Sequence, residues 1–406
     1  MDGEQHWPRT GLPGLGFHSS TGERPRGRGA YISVSMSNAP VWAQANPDHL
    51  PELRDSLSAD VCVVGLGGSG LACIRELTAA GRDVIGLDAC GIAAGAAGRN
   101  GGFLLGGLAL FHHDATIRFG RRFAAAIYEE TLNEMARMCD ETPAAIRNTG
   151  SLRIADSAEE LADCRDQLNA MRGDGLPVEW YDGHEGRGLF FPRDAAFDPM
   201  RRCVELARQA RQAGARLFAC SPATSVDSGT VTTPHGEVRA AHVVVAVDGG
   251  LEVIIPELAS RVRSARLQML ATAPDAGADW PRPVYARWGL DYWQQLPDAR
   301  IALGGGRDVG GDAEWTTEAE PTELVQSALT QLLRERLGSN APVTHRWAAT
   351  VAYTVSGMPV VEQVRPGVWA VGAYSGTGNV VGALCGRGVA AMIVDGESSV
   401  LELFRP

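Results

Sequence analysis

The chain has 406 residues, 45% of them hydrophobic and 21% charged, which is long enough for two domains with sizeable cores. Its formal net charge of −11 argues against a nucleic-acid partner, which favours a basic surface. No apolar run reaches the roughly 18 residues of a membrane span, and the N-terminus lacks the layout of a secretory signal. These features predict a soluble, cytoplasmic protein without a membrane span.

Two further counts limit the chemistry. The eight cysteines are scattered without C-x-x-C or Cys/His spacing, so we expect reduced thiols and no bound metal. The sequence contains no lysine, and every basic side chain is Arg or His. This excludes a Schiff-base lysine and a P-loop lysine.

The first part of the chain predicts a βαβ unit behind an irregular arm. Residues 1–35 are rich in Gly, Pro, Arg and Ser without any period, which indicates a disordered arm or an upstream extension. Residues 38–59 read as a polar lead-in. The hydrophobic pattern then predicts a strand at 61–64, a helix at about 70–80 and a strand at 84–87.

The rest of the chain alternates helical and strand patterns. Helices are predicted at about 115–142, at 157–171, from 199 onward and at about 322–337. Strands are predicted at 150–155, 177–182, 216–218, 262–273, 284–296 and 300–305, with a hairpin over 229–247. Residues 368–396 repeat the strand, glycine turn and helix of the first unit.

The glycine cluster of the βαβ unit has the spacing of a dinucleotide-binding turn. Gly65, Gly67 and Gly70 form G-x-G-x-x-G between the predicted strand and helix. Such glycines allow a tight turn and a close approach of the backbone to a pyrophosphate at the helix N-terminus. Asp88 ends the second strand, where a carboxylate accepts hydrogen bonds from an adenosine ribose. An ordinary glycine turn is the alternative.

Three later stretches, together with this motif, resemble one family. They are "GAAGRNGG" (95–102), "HVVVAVDGG" (242–250) and "GAYSGTGNVVGALCGR" (372–387). Over about residues 55–400 the chain resembles the FAD-dependent amine and amino-acid oxidases, which include D-amino-acid, glycine, sarcosine and γ-glutamylputrescine oxidases. A nicotinamide dehydrogenase is disfavoured, because it would leave the last stretch without a role.

The resemblance implies an α/β fold, α+β overall, in which a Rossmann-like FAD-binding domain is built from discontinuous segments. These segments are predicted at 58–150, 200–255 and 345–400. A substrate domain with a mostly antiparallel sheet is predicted at 151–199 and 256–344.

The resemblance also assigns FAD-binding residues. Val226 would pass the adenine, and Arg99, Asn100 and Gly101 would lie beside the flavin ring. The helix that opens at 376–379 would direct its positive end at the reduced flavin. The full set is Gly65, Gly67, Gly68, Ser69, Gly70, Asp88, Ala89, Ala97, Gly98, Arg99, Asn100, Gly101, Gly102, Val226, Ala246, Gly372, Gly376, Thr377, Gly378, Asn379 and Val380.

The chain departs from the family pattern at the flavin attachment site and at the substrate carboxylate. Val351 stands where the sarcosine-oxidase branch has its attachment cysteine, which implies non-covalent FAD. The segment 350–361 lacks the arginine with which glycine and D-amino-acid oxidases bind a carboxylate. Arg287 or Arg307 could replace it, or either could be a solvated ion-paired residue. The oxygen-activating lysine of the sarcosine branch falls near Ala302.

Four residues are the candidate catalytic set: His113, Arg307, Tyr353 and Tyr292. Two of them, Tyr292 and Tyr353, could form an aromatic wall together with Trp293 and Trp347, or all four aromatic residues could be core.

The resemblance implies an amine oxidase or dehydrogenase. A neutral amine would pass its α-C–H hydride to flavin N5, the imine would hydrolyse, and O₂ or another acceptor would reoxidise the flavin. An amino-acid oxidase or dehydrogenase with a relocated arginine is the first alternative. A flavin-carrying subunit without turnover is the second.

Overall fold

The computed structural model describes residues 38–43 and 49–404. The predicted arm at 1–35 lies outside the described residues. The predicted lead-in contributes to the core, since Val41 and Trp42 are buried against Met269 and Trp347.

The described residues form strands and helices in alternation. The strands are β1 (Ser56–Val64), β2 (Val84–Leu87), β3 (Phe103–Leu104), β4 (Ile146–Arg147), β5 (Ser151–Ile154), β6 (Glu179–Gly183), β7 (Gly186–Phe191), β8 (Ala195–Phe197), β9 (Arg216–Phe218), β10 (Ser225–Asp227), β11 (Thr230–Thr232), β12 (Glu237–Val245), β13 (Val262–Thr272), β14 (Val284–Ala286), β15 (Asp291–Gln295), β16 (Ile301–Gly305), β17 (Val343–Thr354), β18 (Val360–Arg365) and β19 (Val368–Gly372). The α-helices are α1 (Gly68–Ala79), α2 (His112–Phe119), α3 (Arg121–Glu141), α4 (Ala158–Gly173), α5 (Pro199–Gln212), α6 (Leu251–Ile254), α7 (Arg307–Gly310), α8 (Glu323–Glu335), α9 (Val381–Asp395) and α10 (Ser399–Leu403).

The first sheet has the parallel core that a nucleotide-binding fold requires. Its strand order is β10-β11-β12-β1-β2-β9, and β19 pairs with both β12 and β18. Strands β9, β2, β1, β12 and β19 run parallel to their neighbours in this core. Because helices cover parallel sheets, these strands are continuous apolar runs. Side chains of α1, α5 and α9 form one hydrophobic cluster with β1.

The second sheet is almost entirely antiparallel. Its order is β17-β13-β16-β15-β14-β5-β7-β6, and only the β14–β5 pair is parallel among its described strands. The long strands β13 and β17 pair from Val262↔Thr354 to Thr272↔Val343. Residues 345–354 therefore belong to this sheet, whereas the predicted nucleotide-binding segment 345–400 includes them. A small third sheet, β3-β8-β4, completes the fold.

The predicted fold class is confirmed, and two strands match their predicted limits, at 84–87 and 216–218. The single helix predicted at 115–142 is wrong. Helices α2 and α3 meet at Gly120, whose φ of 90° and ψ of 146° are not helical. The apolar period continues across this break, so the pattern did not show it. No helix among the described residues is long and apolar enough to cross a membrane.

Candidate active site

Close contacts require glycine at two positions, one in the turn between β1 and α1 and one at the start of α1. Gly65 has a φ of +107°, and a Cβ there would lie 2.5 Å from the carbonyl oxygen of Ala246. A Cβ at Gly70 would lie 2.0 Å from the carbonyl oxygen of Gly65. These contacts let α1 pack closely on β1 and β12, as the motif predicts.

The start of α1 offers free backbone donors. Gly67 is the N-cap residue, no side chain caps the helix, and its first turn contains no acidic residue. A Cβ built on Gly68 meets no atom within 4 Å, so the space beside it is open. An uncapped helix N-terminus facing open space fits a phosphate group. The residues present therefore fit the pyrophosphate of FAD.

Asp88 lies directly beside this turn. Its Oδ2 accepts a hydrogen bond from the backbone N–H of Leu66 at 2.9 Å, and Oδ1 accepts from those of Cys90 and Gly91, both at 2.9 Å. An ionised carboxylate has about four lone-pair positions, so acceptor capacity remains for ribose hydroxyl groups. Ala89 follows it in the loop after β2.

Val226 does not lie beside Asp88, so the structure does not bring together these two predicted site residues. It is on β10, and β11, β12 and β1 separate this strand from β2. Its side chain is buried in a hydrophobic cluster. The backbone N–H of Ser221 instead donates to the carbonyl oxygen of Asp88 at 2.9 Å. The start of the segment after β9 therefore adjoins Asp88, because β9 pairs in parallel with β2.

The "GRNGG" loop and the C-terminal glycine turn are joined by two asparagines. Asn100 donates to the carbonyl oxygens of Ala96 and Ala97 at 3.0 and 2.9 Å. Asn379 donates to Oδ1 of Asn100 at 3.2 Å and to the carbonyl oxygen of Phe103 at 2.9 Å. Residues 279 apart in sequence thus share one hydrogen-bond network.

Arg99 holds this loop against the second sheet. Its Nε donates to the carbonyl oxygen of Ala348 at 2.8 Å, and its Nη2 donates to Oδ1 of Asn38 at 2.5 Å. The indole N–H of Trp347 donates to the carbonyl oxygen of Arg99, and that of Trp42 to the carbonyl oxygen of Asn100, both at 2.8 Å. Burial lowers the pKa of Arg99.

The C-terminal turn is positioned by Asp248, which sequence reasoning did not single out. Its Oδ1 accepts from the backbone N–H of Tyr374 at 3.2 Å, between Ala373 and Ser375, which both have a φ of 53°. Burial raises the pKa of Asp248 to about 7. A Cβ at Gly372 would lie 2.4 Å from the carbonyl oxygen of Val247, so this crossing also requires glycine. Helix α9 follows the turn with no side-chain cap and no acidic residue in its first turn.

A cavity of about 290 Å³ lies where these segments meet the second sheet. Ten of the predicted site residues line it: Arg99, Asn100, Gly101, Tyr292, Arg307, Tyr353, Gly376, Thr377, Asn379 and Val380. Val351 also lines it, and no cysteine is among its described lining residues.

Arg307 lines this cavity, as do Arg99 and Arg118. Its side chain is buried, and its Cζ lies 4.7 Å from the ring centroid of Tyr353 and 4.9 Å from that of Trp315. Its Nη2 has no hydrogen-bond partner, and no carboxylate among the described residues forms an ion pair with Arg307. Arg287 differs, since it pairs with Asp291 at 2.7 Å and Asp308 at 3.0 Å and is not a lining residue.

The aromatic candidates divide into two groups. Tyr292 and Tyr353 line the cavity, whereas Trp293 and Trp347 are fully buried in hydrophobic clusters and do not line it. Tyr292 packs over Gly304, where a Cβ would lie 2.3 Å from its ring. Glycine at 304 thus leaves room for the phenol.

His113 does not line the cavity, so this prediction is wrong. Its Nε2 lies 3.0 Å from Oδ1 of Asp163, because the ring turns toward α4. The neighbouring His112 lines the cavity instead, with Nε2 2.6 Å from Oδ2 of Asp174. His113, Asp114 and Asp163 are close enough to share a cation, but the guanidinium of Arg153 already binds Asp163.

Comparison with known proteins identifies the family of the chain. The sequence profile of the family described as "FAD dependent oxidoreductase" matches residues 60–392. A "Probable oxidoreductase OrdL" of Rhizobium meliloti is 27% identical over 380 residues, which cover 87% of this chain and 87% of that protein. The gamma-glutamylputrescine oxidoreductase of Escherichia coli is 26% identical over 376 residues, covering 84% and 85%.

Among solved structures, glycine oxidase from Geobacillus kaustophilus superposes with a TM-score of 0.69. Its sequence identity is 17%, and the match covers 85% of this chain and 96% of that one, so it supports the fold. Fold and site together define a flavin-dependent oxidoreductase. The chain belongs to the FAD dependent oxidoreductase family, and its cofactor is FAD.

Proposed function

We propose that this enzyme binds FAD without a covalent bond and oxidises the C–N bond of an amine that also carries a carboxylate. The imine produced is hydrolysed by water to a carbonyl compound and an amine or ammonia. The observation that supports this substrate class is the buried, unpaired guanidinium of Arg307 in the cavity.

The FAD-binding assignments, apart from Val226, support a bound dinucleotide. The uncapped start of α1 would hold the pyrophosphate, and Asp88 the ribose. The loop 97–102 and the turn 376–380 would hold the flavin ring. Val351 lines the cavity at the position of the attachment cysteine in the sarcosine branch, which supports non-covalent binding.

Arg307 supports a carboxylate on the substrate. Removing a charge from water is costly unless a partner compensates for it, and a guanidinium pairs with a carboxylate through two parallel hydrogen bonds. Arg307 has an aromatic face at Tyr353 but no anionic partner among the described residues. A simple amine would leave this charge unpaired, so the amino-acid alternative is favoured.

The chain's own residues orient the substrate and exclude water. FAD, when bound, accepts the hydrogen and the electron pair from the carbon atom that carries the nitrogen. Arg307 would fix the carboxylate, and the rings of Tyr292 and Tyr353 would enclose the reacting carbon. A cavity lined by these aromatic rings and a buried guanidinium argues against a flavin-carrying subunit without turnover.

A comparison of each amino acid with its decarboxylated amine tests the carboxylate assignment. We expect kcat/KM to be at least about 100-fold higher for the amino acid, because the amine leaves a buried charge unpaired. Equal values for both members of each pair would contradict the role of Arg307.

Acid precipitation should release the FAD into the supernatant, and flavin in the pellet would contradict non-covalent binding.

A further inference from the structure

A second buried charged group lines the same cavity. Asp194 lies in the tight turn between β7 and β8, and its side chain is 3% exposed. Its Oδ2 accepts a hydrogen bond from the hydroxyl group of Ser151 at 2.6 Å, and its Oδ1 accepts one from the backbone N–H of Gly106 at 3.1 Å. Both donors are neutral.

No basic side chain of the described residues forms an ion pair with Asp194. A carboxylate has about four lone-pair positions, and two neutral donors leave acceptor capacity unused. Burial raises the pKa of Asp194 to about 7, although Ser151 and Gly106 oppose the shift. A buried carboxyl group without a cation is an unusual arrangement, because buried charges in proteins are normally paired.

Aromatic rings surround this end of the cavity. Tyr128, Phe191 and Tyr285 line it, and the rings of Phe191 and Tyr285 stack with centroids 6.4 Å apart. Burial and the nearby Asp194 raise the pKa values of Tyr128 and Tyr285. Aromatic faces beside a carboxylate attract a cation through both charge and the ring quadrupole.

We propose that Asp194 is a specificity-determining residue that binds a second, cationic group of the substrate. The preferred substrates would then be carboxylate-bearing amines with an additional ammonium or guanidinium group, such as basic amino acids. Arg307 and Asp194 supply opposite charges to one cavity, and such a substrate supplies the complement of each. This inference rests on the proposed oxidation of carboxylate-bearing amines.

The experiment compares lysine with norleucine, which has the same carbon chain but lacks the second ammonium group, in both enantiomers. We expect kcat/KM for lysine to exceed that for norleucine by about 100-fold, the effect of a buried charge pair. Asp194→Asn keeps an acceptor oxygen for Gly106 and removes the charge, so this ratio should fall to about one. Ser151→Ala, measured well above pH 7, is the matched control, since it removes a hydrogen bond and leaves the carboxylate of Asp194 ionised at that pH, so the preference should persist.

A pH profile of the wild-type enzyme tests the same point without a variant. Below its pKa of about 7 the carboxyl group of Asp194 is neutral. We therefore expect kcat/KM for lysine to rise as the pH increases through about 7. The kcat/KM for norleucine should show no rise at this pH. Equal kcat/KM values for the two substrates, or a preference that survives Asp194→Asn, would overturn the inference and leave the proposed function intact. If neither these nor any other amino acid reduces the flavin, the proposed function fails as well.

Discussion

The guanidinium of Arg307 lies 4.7 Å from the ring centroid of Tyr353, inside the cavity where the two sheets meet. Arg307 begins α7 directly after β16, and Tyr353 is on β17 at the edge of the same sheet. The ring packs against the guanidinium group, and the Nη2 atom of Arg307 has no hydrogen-bond partner. In the proposed function, this pair provides the position for the carboxylate of the substrate.

Replacing Arg307 should weaken the binding of carboxylate-bearing substrates. For Arg307→Met we expect KM to rise by about 30-fold or more, since a buried ion pair loses one partner. The change in kcat should be smaller if the arginine mainly fixes the carboxylate. Steady-state kinetics check this. Arg300→Met is the control, because Arg300 pairs with Asp298 and does not line the cavity. An unchanged KM in Arg307→Met would refute the assignment.

Asp88 should contribute directly to FAD affinity. Asp88→Asn should weaken the rebinding of FAD to apoprotein by about 1–3 kcal/mol, the usual value of a hydrogen bond to a charged group. Asp88→Ala should also lower the melting temperature, because the N–H groups of Leu66, Cys90 and Gly91 lose their acceptor. Fluorescence titration with FAD measures the affinity. Asp83→Ala, at the other end of β2, is the control, and a loss of affinity equal to that of Asp88→Asn would argue against a ribose contact.

Trp42 should stabilise the protein and the loop 97–102. The side chain is buried, and its indole N–H donates to the carbonyl oxygen of Asn100 at 2.8 Å. Trp42→Ala should lower the free energy of unfolding by about 3–5 kcal/mol, and Trp42→Phe by about 1 kcal/mol. Deletion of residues 1–35 should leave the melting temperature and FAD content unchanged. Thermal and denaturant unfolding measure the stability of each variant. If Trp42→Ala were as stable as the wild-type protein, the buried position of Trp42 would be contradicted.

The sequence predicts the elements that depend on local pattern. The glycines at 65, 67 and 70 and the apolar runs around them identify the nucleotide-binding unit, because steric limits and strand burial act on neighbouring residues. The contacts of Asp88 with the turn follow from the same short unit. The paired asparagines at 100 and 379 could be placed near the flavin only through the resemblance to a family.

The sequence does not show which side chains meet across distant segments. His113 and His112 are neighbours, yet helix geometry turns one toward Asp163 and the other toward the cavity. Val226 lies away from Asp88 because strand order, rather than distance along the chain, decides which segments adjoin Asp88. Asp194 carries no motif, and its burial beside the cavity depends on packing between β7, β8 and the loop at Gly106.

Arg307 is also a candidate for promoting the reaction with oxygen. A fixed positive charge stabilises superoxide as it forms, the chain has no lysine, and His113 lies outside the cavity. We expect an oxidase, with reoxidation slowed about 10-fold or more in Arg307→Met. Stopped-flow mixing of photoreduced enzyme with oxygenated buffer measures the rate. Fast reoxidation in the variant would exclude the guanidinium of Arg307 as the charge that promotes the reaction with oxygen. Slow reoxidation of the wild-type enzyme would indicate a dehydrogenase.

Anaerobic reduction of the bound flavin tests the central claim most directly. The purified protein is titrated without air with a panel of amino acids and with the amines that correspond to them. We predict that carboxylate-bearing amines bleach the yellow flavin absorbance and release a carbonyl product in about equal amount to the FAD reduced. A flavin that dithionite reduces, but that no amine or amino acid in the panel bleaches, would contradict the account.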